Sequence, residues 1–111
     1  MNKTLIENLT YIGSFTVDSG QAMVGDPCYL DNWDTNKNDK WEIEGKEGEY
    51  SYHGVSAMTL KNNYGMIDNG SAVAFSTGYG DGIYPVYALM NDDNRTSMIV
   101  IDFEANIEDE D

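Results

Sequence analysis

Residues 17–30, VDSGQAMVGDPCYL, decide how the start of this chain folds. The segment has two short apolar runs, separated by Asp18-Ser19-Gly20-Gln21 and closed by Gly25-Asp26-Pro27. Asp and Ser side chains hydrogen-bond to nearby backbone and glycine accepts positive φ, so Asp18-Ser19-Gly20 predicts a turn. Residues 11–17 alternate as a strand does, and residues 22–25 resume a strand after the turn. The pattern therefore predicts a β-hairpin.

The rest of the chain shows the same pattern of short strands and turns. Gly54 indicates a bulge in its strand, and the apolar run MIVIDF at residues 98–103 is typical of a central strand. Because Pro85 cannot donate to a ladder, its strand should lie at a sheet edge or carry a bulge there. Strands are predicted over residues 49–60, 64–67, 71–77, 83–90 and 96–104, with turns at 61–63, 68–70 and 91–94 and a loop or short helix at 31–40.

These elements predict an all-β, mainly antiparallel fold, either a compact sandwich or a partly closed barrel of about seven to eight strands. Residues 1–9 can form one short helical turn or an unpaired arm. We expect a single β-rich domain over residues 1–104, followed by an acidic tail at residues 105–111.

Composition limits the range of functions. The chain has 111 residues, of which 20 are acidic and 6 basic, for a net charge of -14. This charge argues against direct binding to nucleic acid or to an anionic membrane, and it indicates either a solvated acidic surface or mimicry of nucleic acid. We find no signal-peptide or membrane-spanning stretch, and Cys28 is the only cysteine. A soluble protein of a reducing cytoplasm is therefore expected.

The glycine-rich segment GYGDGIYPVY at residues 78–87 is the first candidate binding site. Gly80 and Gly82 allow a tight turn and close approach of a ligand, and they would display Asp81 at the loop tip. Tyr79 and Tyr84 could stack on a base or a sugar. The alternatives are a turn in which Asp81 bonds to nearby amides, and tyrosines that pack in the core.

The second candidate is Asp26-Pro27-Cys28-Tyr29. Pro27 holds Asp26 in an extended conformation, so that its carboxylate has a defined position. If the loops converge, Asp18, Asp26 and Asp81 could bind a divalent cation, although structural carboxylates are the more common case.

Two weaker patterns are also present. Cys28 as a nucleophile would need His53, the only histidine, as its base, whereas a buried cysteine and a histidine on a strand face are the ordinary interpretation. Residues 34–39 begin like a calcium loop, but they lack the glycine at its sixth position.

With both motifs in view, the chain resembles a group of small uncharacterised proteins of bacteriophages and bacteria. These pair V-D-S-G-Q and D-P-C-Y segments with a later G-Y/W-G-D-G-x-Y-P-V-Y segment, and end in a strand like Ile101-Asp102-Phe103. The resemblance spans residues 11–103. It implies a phage-encoded or phage-associated β-rich protein that works in the host bacterial cytoplasm, and no activity can be transferred from it. The shared positions are Asp18, Gly20, Gln21, Asp26, Pro27, Cys28, Tyr29, Gly80, Asp81, Gly82, Tyr84, Pro85 and Tyr87.

The leading hypothesis is a non-enzymatic phage accessory protein that inhibits a bacterial host defence by binding. Its partner would be a nucleotide-like small molecule held between the two motif loops, or a host defence protein. It assigns no catalytic residue, metal or cofactor. The alternatives are a metal-assisted hydrolase of a small phosphodiester acting through Asp18, Asp26 and Asp81, and a structural or virion-associated protein. The predicted edge strand at residues 83–90 could also pair with itself in a homo-oligomer. The proposed ligand-binding residues are Asp26, Tyr29, Tyr79, Gly80, Asp81, Gly82 and Tyr84.

Overall fold

A computed structural model of the chain describes residues 7–35 and 46–104. The predicted helical turn lies largely, and the acidic tail wholly, outside these ranges, as does the end of the loop predicted at residues 31–40. The described elements are β1 (Thr10–Val17), β2 (Gln21–Gly25), a 3₁₀ helix (Pro27–Asn32), α1 (Tyr52–Asn62), β3 (Tyr64–Ile67), β4 (Ala72–Ser76), β5 (Gly82–Met90) and β6 (Thr96–Ile101).

The strands form two antiparallel sheets of three strands each. Sheet I has the order β1-β5-β6 and sheet II the order β2-β4-β3. This confirms a mostly β, antiparallel fold. The described residues contain six strands, fewer than predicted, and neither sheet closes into a barrel.

The predicted hairpin of the opening segment is wrong. β1 pairs with β5 in sheet I, from Thr10 opposite Ala88 to Val17 opposite Gly82, whereas β2 pairs with β4 in sheet II. The turn at residues 18–20 therefore carries the chain from one sheet to the other. Turn chemistry predicts a change of chain direction, but the partner of each strand depends on contacts far away in sequence.

The predicted strand at residues 49–60 is also wrong, because α1 occupies most of it. Ser51 caps the N-terminus and accepts a hydrogen bond from the Gly54 amide at 2.9 Å. Asn63, with φ 69°, ends the helix in the left-handed conformation, and its amide donates to the Thr59 carbonyl. Gly54 is thus a helical residue and not a bulge. The helix buries residues on several sides, which gives it no clear amphipathic period.

α1 packs on one face of sheet II and forms the core with it. Trp33 and Tyr50, which precede the helix, close this core with an edge-to-face contact at 5.0 Å between ring centroids. The buried cluster comprises Tyr50, Val55, Ile67, Ala72 and Ala74, with Met23, Trp33 and Met58 packed around it.

The predicted positions of the last two strands are reversed. β5 is the centre of sheet I and β6 is an edge, although Pro85 predicts the opposite for β5. The Pro85 carbonyl accepts a hydrogen bond from the Asp102 amide. The last paired residues of β5 and β6 are Val86 and Ile101, which adjoin Pro85 and Asp102 in the chain. In an antiparallel strand the N–H and C=O of a residue face the same neighbour. The missing N–H of Pro85 therefore falls where β6 ends, and the register shifts lie elsewhere, at Tyr11 to Gly13 and at Leu89 to Met90.

The central position of β5 in sheet I also removes the predicted route to self-association through this strand. Both sides of β5 are already paired, with β1 and with β6, so this strand offers no free edge to a second copy.

Candidate functional site

The two sequence motifs meet where the chain crosses between the sheets. Residues 18–20 lead from sheet I to sheet II, and residues 77–81 lead back. The Gly20 amide donates to Asp81 Oδ1 at 2.9 Å, and the Thr77 amide donates to the Gly20 carbonyl at 3.1 Å. Gly20 has φ 68°, which favours glycine. We call these two segments the sheet junction, since their hydrogen bonds tie the two crossovers together.

The glycine-rich loop directs most of its polar groups inward. The Gly80 carbonyl accepts hydrogen bonds from Thr77 Oγ1 at 2.6 Å and from the Tyr84 hydroxyl at 2.7 Å. Thr77 and Tyr84 are both buried. The local turn contacts involve Gly80 and Tyr84, whereas Asp81 accepts its hydrogen bond from Gly20, which is distant in sequence. Of the predicted aromatic ligands in this loop, Tyr79 is exposed, with 69% of its surface accessible.

Asp26 begins the 3₁₀ helix as its N-cap. Its Oδ1 accepts a hydrogen bond from the Cys28 amide at 2.9 Å, and its carbonyl accepts one from the Tyr29 amide at 3.1 Å. Pro27 occupies the first helical position, which suits a residue without an N–H. The sequence correctly predicts a carboxylate held in place by Pro27, and its observed role is capping.

The Asp26 and Asp81 loops lie at opposite ends of β2. Asp81 bonds to Gly20, just before the strand, and Asp26 follows its last residue. Six residues of extended chain span about 20 Å, at about 3.3 Å per residue. The structure therefore brings Asp81 to Gly20 and separates it from Asp26 and Tyr29.

The structure does not bring together the side chains considered for metal binding or thiol catalysis, within the residues that it describes. There, no three His, Cys, Asp or Glu side chains group in a way that could hold a metal ion. Cys28 is exposed, in contrast to its predicted burial, whereas His53 is buried within α1. Desolvation, and then the charge of Asp26 and its hydrogen bond with the thiol, raise the pKa of Cys28. The partial calcium-loop pattern lies mostly outside the described residues.

Gln21 links β2 to the helix through its side chain. Its Nε2 donates to Ser56 Oγ at 2.9 Å, and its Oε1 accepts from Thr59 Oγ1 at 2.5 Å. Ser56 and Thr59 are buried on α1. The sequence does not predict this contact, because the pattern of residues 49–60 favours a strand.

The outer face of sheet II, opposite the helix, is apolar and exposed. Val24, Val73 and Met66 are directly paired across the three strands and are 57%, 49% and 61% accessible. Ala22, Phe75 and Tyr64 form the next row of the same face. We call these six residues the apolar face. The sequence contains a signal for this face, because the strands QAMVG, YGMI and AVAFS are almost wholly apolar on both sides. The helix covers only one of these sides, so the other is left exposed.

An apolar groove extends this face toward sheet I. It has a volume of about 440 Å³ and is lined by Val24, Phe75, Ile99, Ile101 and Phe103. The Phe103 ring joins the sheets, since its centroid lies 5.1 Å from that of Tyr84 in sheet I and 5.7 Å from that of Phe75 in sheet II. The apolar face and the groove share Val24 and Phe75 and together form a continuous candidate binding surface.

A family comparison places the chain. A family model described as a protein of unknown function, DUF4241, matches residues 2–101. The chain therefore belongs to the DUF4241 family. No curated protein and no solved structure matches it significantly. Among the described residues, none of the helices has the length and apolar character needed to cross a membrane.

Proposed function

We propose that this chain is a non-enzymatic binding protein that acts by docking a protein partner on its apolar face. The observation that carries the proposal is the paired row Val24, Val73 and Met66. Each of these residues exposes about half of its surface or more. Contiguous apolar surface of this kind on a soluble domain is typical of a protein interface. The groove beside it adds a concave site for an anchoring side chain.

A protein partner fits the surface better than a nucleotide-like signal does. A site for such a signal needs polar groups free to orient the base and phosphates. In the glycine-rich loop, the Gly80 carbonyl and the Asp81 carboxylate already bond within the chain, and the groove is lined by apolar side chains. The exposed Tyr79 still offers a stacking surface, so nucleotide binding is retained as the second outcome of the test below.

The biological setting of the proposal comes from the sequence motifs. On the resemblance of the V-D-S-G-Q, D-P-C-Y and G-Y-G-D-G segments to phage and bacterial proteins, we infer a phage-encoded protein that blocks a defence protein in the host cytoplasm. The contacts of Phe103 with both sheets also support a sandwich-like arrangement, open at the groove.

The test is a plaque assay in bacteria that each carry one defence system and express the chain. The wild-type chain should restore phage growth against one system. Met66→Lys should abolish that effect, because it places a charge in the exposed row of the apolar face, next to Val73. Leu60→Lys is the matched control, since Leu60 is 72% exposed on α1 and undergoes the same change of charge.

Three results would count against the proposal. The first is that the chain restores growth against none of the systems, and the second is that Met66→Lys keeps full activity while its fold is intact by circular dichroism. Loss of activity in Tyr79→Ala, with calorimetric binding of a cyclic nucleotide by the wild-type chain, would favour the nucleotide-like signal instead.

A further inference from the structure

The six strands carry no charged side chain. Within residues 7–35 and 46–104, no Asp, Glu, Lys, Arg or His lies in any strand. The charge of the described chain therefore lies in the helices, loops and turns around the sheets, and the apolar face has an uncharged centre.

The residues that border this face are acidic. β2 and β3 both run antiparallel to β4, so they finish at the same end of sheet II, where Gly25, Ala72 and Ile67 lie in one row across the strands. Asp26 and Asp68 follow directly after these strand ends, and both are exposed. Exposed Glu104 follows the groove residue Phe103. Three exposed acidic residues therefore adjoin the apolar face, two at the end of sheet II and one at the groove.

The cations of the described residues lie away from the exposed side or among acids. Lys61 is on α1, which covers the opposite face of sheet II, and it lies 3.3 Å from Glu47. Arg95 precedes the first residue of β6, whereas the groove is lined by Ile99 and Ile101 farther along that strand. Lys46 is followed in its own segment by Glu47 and Glu49. Among residues 7–35 and 46–104, the charged residues that adjoin the apolar face thus carry negative charge.

Two copies of the chain, each with a net charge of -14, would repel one another across such a border. A complementary surface combines an apolar centre with positive charge at the rim, which raises the association rate and selects the partner. Resting on the proposed function, we propose that the partner of the apolar face is a protein whose contact surface is an apolar patch bordered by lysine and arginine.

The test uses synthetic amphipathic helices of about 18 residues, about five turns, with leucine along one side. One peptide carries lysine on its polar side, a second carries glutamate at the same positions, and a third has the lysine sequence scrambled. Fluorescence anisotropy with the full chain should show the leucine–lysine helix binding at least about tenfold more tightly than the other two, a difference of about 1.4 kcal/mol.

The site is tested with matched variants. Met66→Lys should weaken binding of the leucine–lysine helix much more than Leu60→Lys, although both add the same charge. Val73→Thr keeps the shape of the side chain and should weaken binding as well, which guards against a folding defect in Met66→Lys. The double variant Asp68→Asn with Glu104→Gln should reduce the dependence of affinity on salt, because it removes border charges.

Equal binding of the lysine and glutamate helices, binding of neither, or equal weakening by Met66→Lys and Leu60→Lys would overturn the basic partner. So would a dimer in sedimentation that Met66→Lys dissociates, because a second copy would then occupy the face. These results leave the docking function intact if Met66→Lys still abolishes activity in the plaque assay. The docking function itself fails when that variant remains active.

Discussion

Asp81 accepts a hydrogen bond from the amide of Gly20 at 2.9 Å, although 61 positions separate the two residues in sequence. Each lies in one of the two crossovers between the sheets, so the bond joins the V-D-S-G-Q and G-Y-G-D-G motifs. The Thr77 amide adds a second bond to the Gly20 carbonyl. The main role that the structure gives these motifs is to hold the sheet junction together, while the candidate binding surface lies on neighbouring strands.

Replacing the Asp81 carboxylate should destabilise the junction. Asp81→Ala removes a charge-assisted hydrogen bond, and we expect the free energy of unfolding to fall by about 1–2 kcal/mol, as measured by urea denaturation. Asp92→Ala is the control, because it removes an exposed carboxylate in the turn between β5 and β6 and the same unit of charge. If the two variants are equally stable, the Gly20 contact contributes nothing to folding.

Gly54 in α1 and Gly65 in β3 should respond differently to replacement by alanine. A Cβ at Gly54 would overlap the backbone of Glu49, whereas one at Gly65 would meet the side chain of Met58. Backbone cannot move aside without loss of the turn before α1, but a methionine side chain can change rotamer. We expect Gly54→Ala to cost about 3 kcal/mol or more, and Gly65→Ala about 1 kcal/mol, in thermal or urea unfolding. The reverse order would contradict the packing around Gly54.

The contact between β2 and α1 depends on the Thr59 hydroxyl. Thr59→Val keeps the shape of the side chain and removes the donor to Gln21 Oε1. We expect a loss of about 1–2 kcal/mol in urea denaturation, because the change leaves a half-buried carbonyl oxygen with one fewer partner. Thr16→Val, at an exposed position of β1, should stay within about 0.5 kcal/mol of the wild type. Equal stability of Thr59→Val and wild type would show that Gln21 is satisfied by water.

Cys28 should react slowly with alkylating reagents at neutral pH. Desolvation and the neighbouring Asp26 raise the pKa of its thiol, so a smaller fraction is thiolate, which is the reactive form. Its rate of reaction with iodoacetamide should therefore rise at higher pH than that of a cysteine in an unfolded peptide. Asp26→Asn removes the charge and should move the profile to lower pH. Asp31→Asn, in the same 3₁₀ helix, should leave the profile in place, and an equal shift in both variants would exclude a specific effect of Asp26.

Local chemistry predicted most of the strands and turns. Alternation identified β1, β2, β3, β4 and β5 to within about two residues, and Asp68-Asn69-Gly70 is the turn that joins β3 to β4. Local chemistry also predicted the glycine-rich loop and the extended backbone of Asp26. These features depend on neighbours a few residues away, so the sequence contains the information to find them.

The clearest error of the local prediction is the strand at residues 49–60, most of which is the helix α1. Ser51 and Asn63 carry capping signals at its two ends, but Gly54 and the β-branched residues Val55 and Thr59 favour a strand. Burial on several sides compensates for this low propensity, and a helix buried on several sides has no single apolar period to detect. The caps were the available signal.

The sequence by itself determined the β-rich class of an acidic chain and the positions of most of its strands, although not the helix that replaces the strand predicted at residues 49–60. Tertiary structure alone decided that β1 pairs with β5 and β2 with β4, that Asp81 meets Gly20 and not Asp26, and that the row of Val24, Val73 and Met66 is exposed. The physical reason is the range of the forces involved. Turns and alternation follow from adjacent residues, whereas the partner of a strand and the covered side of a sheet depend on segments distant in sequence.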